Sequence, residues 1–315
     1  MKKMSFLLLP FALLMTIATM GEAQNTDPSL IRVFELPQLV SQPTLDGVKS
    51  DGEWDNALEL PCSPSSINAE GAEFGWADQE NGISLVSGNQ LNQSEGEEAS
   101  VARTDADSWS NSWHAWDADA WWYIAHVGDN VRDVENENEY CWWERDSTCL
   151  YLDLTNSKAP YGPNGEHTTM NIINYVAAPM NASAVNITWE YLVEGLRTQT
   201  NDPDLIEGFE YGFRDAGDEY GGEADYAIEG KVSWETLMRF DLPAIPEPGT
   251  EMGLHWLILD PDADNGYGGQ LVCYGAPGGD QSFYTTVVFT DTPAGSAGTA
   301  VEKDSWGRIK ETFSL

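Results

Sequence analysis

The fold is decided by the stretch Cys141-Trp142-Trp143-Glu144-Arg145-Asp146-Ser147-Thr148-Cys149-Leu150-Tyr151-Leu152-Asp153. In it, a charged turn with two tryptophans leads into a segment in which apolar and other residues alternate. This alternation predicts a β-strand with one buried face. Trp143 then lies at the mouth of the strand, where an indole is either a lid on the core or a platform for a ligand. We interpret it as a platform. The two sides of the predicted strand carry Leu150 and Leu152 on one, and Cys149, Tyr151 and Asp153 on the other.

The composition indicates a folded and strongly acidic protein. A chain of 315 residues with 41% hydrophobic residues and 13 tryptophans can bury a sizeable core, as one large domain or two small ones. The 52 acidic residues against 15 basic ones give a net charge of -37, and this charge repels phosphate groups. Nucleic acids and anionic membranes are therefore poor partners, whereas cations and neutral ligands remain. The alternative is that the acidic surface serves solvation in a salty medium.

The N-terminus has the pattern of an export signal. Lys2-Lys3 precedes an apolar run over residues 6–20, and Gly21-Glu22-Ala23 supplies small residues for cleavage. We expect residues 1–23 to be a signal peptide, and the mature chain to be secreted, periplasmic or on the cell surface. No later stretch is apolar for long enough to predict a membrane span. Export permits disulfides, and three pairings are open among Cys62, Cys141, Cys149 and Cys273, with buried free thiols as the alternative.

Dense strand signals predict an all-β protein. Residues 113–116 and 121–127 predict a hairpin, and Ser233 predicts the cap of a single helical turn. Many short strands without long amphipathic helices favour an antiparallel β-sandwich. The other segments with strand patterns are 31–36, 83–86, 170–176, 186–193, 226–232, 252–259, 270–274 and 283–289.

The remaining segments predict insertions and a tail around a domain of residues 24–290. Residues 63–108 and 197–224 are polar with little periodicity, which is typical of long insertions. Residues 291–300 are rich in small residues and predict a linker. Residues 301–315 carry apolar side chains at helical spacing and predict a short amphipathic helix. That helix docks on the sandwich or on a protein partner; the alternative is a frayed end.

The order of these motifs resembles carbohydrate-binding module family 9 and its DOMON-like relatives, from about Leu45 to Phe289. The resemblance implies a jelly-roll-like antiparallel sandwich with loop insertions. The motifs that carry it are Leu45-Asp46-Gly47, Glu53-Trp54 with Ala57, Trp116-Asp117, Trp122-Tyr123-Ile124, Asp129, Trp143-Glu144-Arg145-Asp146-Ser147, Leu152-Asp153, residues 226–237, and residues 253–260 with Asp262 and Asp264.

The resemblance also implies a pocket in which two aromatic rings sandwich a terminal sugar while polar side chains bind its hydroxyls. Trp143 matches the first aromatic position, and Tyr274 is the candidate for the second. Asn174 and Glu144 are candidate polar contacts. The chain departs from the family at Cys149, where a carboxylate is expected.

A second departure from the family is Ile172, where the family places an arginine.

A separate motif places carboxylates at alternating positions in a turn, as calcium requires: Asp260-Pro261-Asp262-Ala263-Asp264-Asn265-Gly266. Leu271 stands where an EF-hand has its glutamate, so this is another type of loop. The resemblance implies structural calcium, held by Asp260, Asp262 and Asp264; the alternative is a solvated acidic turn.

We therefore expect an exported carbohydrate-binding protein that holds the ends of polysaccharides or oligosaccharides by aromatic stacking. No residue pattern singles out a nucleophile, and chance pairs among 52 acidic residues leave glycoside hydrolysis open, so we expect a non-catalytic protein without excluding an enzyme. One alternative is a surface or matrix interaction protein that uses the sandwich as a scaffold. Another is a haem-binding redox domain, for which Met170 is the candidate ligand.

Overall fold

A computed structural model describes residues 32–66, 77–78, 83–84, 105–106, 108–129, 146–158, 169–176, 185–193, 196–200, 208–215, 225–239, 242–259, 270–272, 274, 281 and 284–295. The elements in this part are β1 (Val33–Leu39), β2 (Leu58–Cys62), β3 (Ala77–Asp78), β4 (Ile83–Ser84), β5 (Ser108–Trp116), β6 (Ala120–Asp129), β7 (Ser147–Asp153), β8 (Thr169–Val176), β9 (Val185–Val193), β10 (Leu196–Thr200), β11 (Phe209–Asp215), β12 (Tyr226–Ser233), α1 (Trp234–Met238), β13 (Glu251–Leu259), β14 (Gln270–Val272) and β15 (Thr285–Ala294). No described helix is long and apolar enough to cross a membrane.

Thirteen of the described strands form one continuous sheet, in the order β10-β9-β8-β7-β13-β15-β1-β5-β6-β12-β11, with β14 beside β13 and β2 beside β5. Strands β3 and β4 pair separately. The large sheet curls so that its halves face each other: Trp256 of β13 donates from Nε1 to Ser110 Oγ of β5, at 3.0 Å. The all-β sandwich predicted from the sequence is confirmed. Strand β1 is parallel to both β15 and β5, and the other described pairs are antiparallel.

Tryptophans fill the core between the two halves and anchor them through their N–H groups. Trp234 donates to the carbonyl of Asp117 at 2.9 Å, and Trp116 donates to the carbonyl of Thr290 at 3.0 Å. Each bond satisfies a donor that is costly to bury unpaired. The helical turn that carries Trp234 begins as predicted, because the Ser233 side chain accepts from the Thr236 N–H at 3.1 Å.

A loop over residues 42–57 covers the outer face of β6 and β12, and one buried carboxylate holds it there. Glu229 Oε2 accepts from the N–H of Asp46 at 3.0 Å and of Gly47 at 3.1 Å, while Oε1 accepts from Trp54 Nε1 at 3.2 Å. Gly47 has φ +74°, a conformation that favours glycine. Trp54, near the end of this loop, is 2% exposed.

Strand β7 differs from its prediction in being buried on both faces. Leu150 and Leu152 lie in the main core, but Cys149 and Asp153 on the opposite face are also fully buried. The reason is position, since β7 is an interior strand of the sheet, between β8 and β13. On the second face of β7, Tyr151 packs against the rings of His255 and Tyr284.

Strands also extend into two segments that were predicted to be an insertion and a linker. The polar segment 197–224 contains most of β10 and the whole of β11, which pairs with β12 from Phe209 to Asp215. Strand β15 continues to Ala294, four residues into the segment predicted as a linker. The predicted signal peptide and C-terminal tail lie outside the described residues.

Candidate functional site

Two of the predicted site loops attach to neighbouring strand ends. Strand β7 begins at Ser147, which pairs with Leu259, the last residue of β13. In the sequence, Trp143 and Glu144 precede β7 by a few residues, and Asp260 directly follows β13. Asp262 and Asp264 follow on that loop. These five predicted site residues lie outside the described residues, but the strands that carry them end side by side. We call this place the β7–β13 end.

The β7–β13 end has buried polar side chains on β7 and just before it. Asp146 is 1% exposed, and Ser147 and Thr148 are fully buried. Within the described part, Ser147 Oγ and Thr148 Oγ1 have no hydrogen-bond partner. A buried hydroxyl without a partner costs about 1–3 kcal/mol. A water or polar ligand that reached these hydroxyls would remove that cost. Sequence reasoning did not single out these hydroxyls, because their burial follows from tertiary packing.

Asn174 lies on β8 beside this end. It pairs with Thr148, whereas Asn171 pairs with Tyr151. Opposed residues of an antiparallel pair share a face of the sheet. Asn174 is therefore on the face of Thr148, and Asn171 is on the face that carries Cys149 and Tyr151.

Tyr274 is packed into the core, with 2% of its surface exposed. Its hydroxyl donates to the carbonyl of Pro61 at 2.8 Å, and its ring meets Phe34 edge-on at 5.9 Å. The Arg32 guanidinium lies 5.0 Å from the ring centroid. Burial raises the pKa of the Tyr274 hydroxyl to about 12. Stacking of this ring on a sugar, as predicted, requires its present neighbours to move aside.

The face of β7 and β13 that carries Cys149 holds a buried aromatic cluster. The His255 ring lies 4.9 Å from Tyr151 and 5.1 Å from Tyr284, between ring centroids. Burial lowers the pKa of His255 to about 3, so the imidazole is neutral at physiological pH. His255 is fully buried, so it is a core histidine. Met170, the candidate haem ligand, lies on β8 opposite Leu152.

Among the described residues, no group of three or more histidines, cysteines or acidic residues is arranged to hold a metal ion. The Asp260 loop lies outside that part of the chain. Calcium binding by Asp260, Asp262 and Asp264 therefore stays a prediction.

Comparison with known proteins gives a family and two structures. The family model described as "Carbohydrate family 9 binding domain-like" matches residues 88–293. No curated protein matches the chain. A family 9 carbohydrate-binding module from Caldicellulosiruptor kristjanssonii, solved with cellotriose, is 13% identical with a TM-score of 0.47; the match covers 86% of this chain and 97% of that one. The corresponding structure with glucose is 14% identical with a TM-score of 0.46, over 81% and 95% of the two chains.

Proposed function

The chain belongs to the carbohydrate family 9 binding domain-like family, and from that premise we propose that it is an exported, non-catalytic protein that binds the ends of glycan chains. The observation that carries this proposal is the family match over residues 88–293, which includes the whole Trp143 segment and β13 with its acidic loop. The β7–β13 end is the proposed binding site.

The chemistry of this end suits a sugar. A pyranose presents apolar C–H faces, on which the Trp143 indole can stack, and hydroxyls that need partners. Glu144 is adjacent in sequence and supplies a carboxylate acceptor. The buried hydroxyls of Ser147 and Thr148 supply further polar groups at the start of β7. Because the chain departs from the family at Cys149, we expect hydroxyl recognition to differ from that of its relatives.

Retardation in affinity gels that contain soluble xylan or cellulose derivatives, with titration of cello-oligosaccharides, tests this proposal. We expect Trp143→Ala to weaken binding about tenfold or more, because the stacking surface is lost. Trp143→Phe keeps a flat ring and should retain part of the affinity. The control is Glu235→Gln, which changes an exposed side chain outside both predicted site loops. Equal retardation of the wild type and Trp143→Ala would remove Trp143 from the site.

We also propose that the Asp260 loop binds calcium and thereby stabilises the β7–β13 end. Alternating carboxylates followed by Asn265-Gly266 supply hard oxygen ligands and a sharp turn. Chelation should lower the unfolding temperature of the wild type and leave that of Asp262→Ala unchanged. An unfolding temperature of the wild type that does not respond to chelator or to added calcium contradicts this site.

Export and one disulfide complete the proposal. We expect the exported protein to begin near Gln24.

The disulfide is inferred from the contacts around Cys62, which is fully buried at the end of β2. The preceding residue, Pro61, accepts a hydrogen bond from Tyr274, and Tyr274 directly follows Cys273 in the sequence. This proximity favours a Cys62–Cys273 bond among the three possible pairings. Mass spectrometry of a non-reduced digest tests it, and a Cys62 peptide linked to another cysteine would contradict it.

A further inference from the structure

A separate surface on the other half of the sandwich also has the chemistry of a sugar site. In β5, alternate side chains from Ser108 to His114 are buried towards the core, while Trp109, Asn111 and Trp113 are partly exposed on the opposite face. We call these three residues the outer strip. Trp109 and Trp113 are four residues apart on one strand, so their Cα atoms are about 13 Å apart.

Trp109 is the more open of the two indoles. It pairs with Gly128 of β6, which has no side chain to cover the ring. Among the described residues no aromatic ring or cation lies against it. Trp113, by contrast, has the Lys49 ammonium 4.5 Å from its centroid and the His126 ring 5.1 Å away. A partly exposed indole beside a glycine offers a flat surface on which a sugar ring can stack.

Asn111 lies between the two indoles with an acceptor that the protein leaves unsatisfied. Its Nδ2 donates to Glu59 Oε1 of β2 at 2.5 Å, but its Oδ1 is buried and has no hydrogen-bond partner within the described part. A sugar hydroxyl that donates to Oδ1 would satisfy this atom. Glu59 is exposed and offers further acceptor capacity beside it. Stacking surface and hydroxyl acceptors therefore alternate along one strand, as a saccharide requires.

We propose that the outer strip binds the interior of an uncharged linear oligosaccharide. The separation of the two indoles exceeds one sugar ring, so the strip fits two or more linked units. The net charge of -37 disfavours anionic glycans. This surface is on β5, in the half of the sheet opposite β7 and β13.

Two sites on one molecule raise the affinity for long chains beyond that for short ones. If a glycan is long enough to reach both the proposed Trp143 site and the outer strip, the second contact is intramolecular. The proposal therefore predicts that affinity increases with chain length beyond what one terminal sugar explains. It also predicts that the gain depends on Trp109.

Isothermal titration with cellohexaose, xylohexaose and laminarihexaose, all in the Trp143→Ala background, tests the strip alone. At least one hexasaccharide should bind. Adding Trp109→Leu should weaken it about tenfold or more, because leucine keeps apolar packing but lacks the flat ring. Adding Trp109→Phe should retain most of the affinity, and Asn111→Leu should reduce it. The exposed control Glu235→Gln should leave it unchanged.

Unfolding midpoints and circular dichroism of each variant establish that the sandwich is intact. If no hexasaccharide binds the Trp143→Ala protein, or if one binds equally well with Trp109→Leu, the outer strip is not a sugar site. Comparison of the wild type with Trp143→Ala alone reports separately on the proposed terminal site. Failure of one site is thus distinguishable from failure of the other.

Discussion

Glu229→Gln tests which of two opposed effects governs the buried carboxyl that holds the 42–57 loop. Three N–H donors, from Asp46, Gly47 and Trp54, reach its two oxygens. These bonds favour the ionised form and lower the pKa, while burial disfavours the ionised form and raises it. Burial is the larger effect and brings the pKa of Glu229 to about 7, from an ordinary value of 4.5.

The sign of the pH dependence follows from this raised pKa. The folded protein holds the Glu229 proton more tightly than the unfolded chain, so its stability falls as the pH rises from about 5 to about 7 and levels off above that. A rise from 4.5 to about 7 corresponds to about 3 kcal/mol in the free energy of unfolding. Glutamine does not titrate, so the stability advantage of the wild type over Glu229→Gln should shrink by about 3 kcal/mol between pH 5 and pH 8.

Urea unfolding, followed by tryptophan fluorescence at pH 5, 6, 7 and 8, measures this difference for the wild type and Glu229→Gln. Using the difference removes the general repulsion among the other acidic groups. Glu235→Gln, at a side chain that is 85% exposed, is the matched control and should give a flat difference. An advantage of the wild type that grows with pH would refute the reasoning, because it would mean that the three donors outweigh burial.

Three further substitutions test local parts of the fold by the same unfolding measurement. Ser233→Ala removes the bond from the Thr236 N–H and should cost about 1 kcal/mol; no loss would mean that water caps the helix equally well. Gly230→Ala places a methyl group 2.5 Å from the Tyr123 ring and should cost about 1–3 kcal/mol, so a neutral result would show that the ring can move. Asp153→Asn replaces one acceptor of a buried carboxylate that receives four hydrogen bonds, and should cost about 1–3 kcal/mol; an unchanged midpoint would contradict its role in ordering the following loop.

Local patterns in the sequence predicted most of the elements. The strand after Ser147 and the Ser233 cap depend on neighbours in sequence, and both are confirmed, although the strand is buried on both faces and not on one. What depends on distant partners was not predictable from one sequence. The hydrogen bonds by which Glu229 holds the 42–57 loop join residues about 180 positions apart. No local pattern in the sequence identifies Glu229 as the residue that makes them.

In the candidate site, too, the features that depend on distant partners were not predictable from the sequence. The register of β7 with β13 places the start of β7 beside the end of β13, and nothing in either segment of sequence encodes that pairing. Tyr274 is buried because Arg32 and Phe34, from the first strand, pack around it. The outer strip was missed because the sequence pattern predicted a strand over residues 113–116. The strand in fact begins at Ser108, which places Trp109 and Trp113 on one face.

The parallel pairing of the first and last described strands determines when this protein can finish folding. Val33 pairs with Thr286, and Leu36 with Phe289, so the chain must bring together segments about 250 residues apart. A growing polypeptide cannot make this pairing until β15 has left the ribosome. Since such distant contacts slow folding, we expect β1 to stay unpaired on its β15 side through synthesis and to join the two halves in a late step.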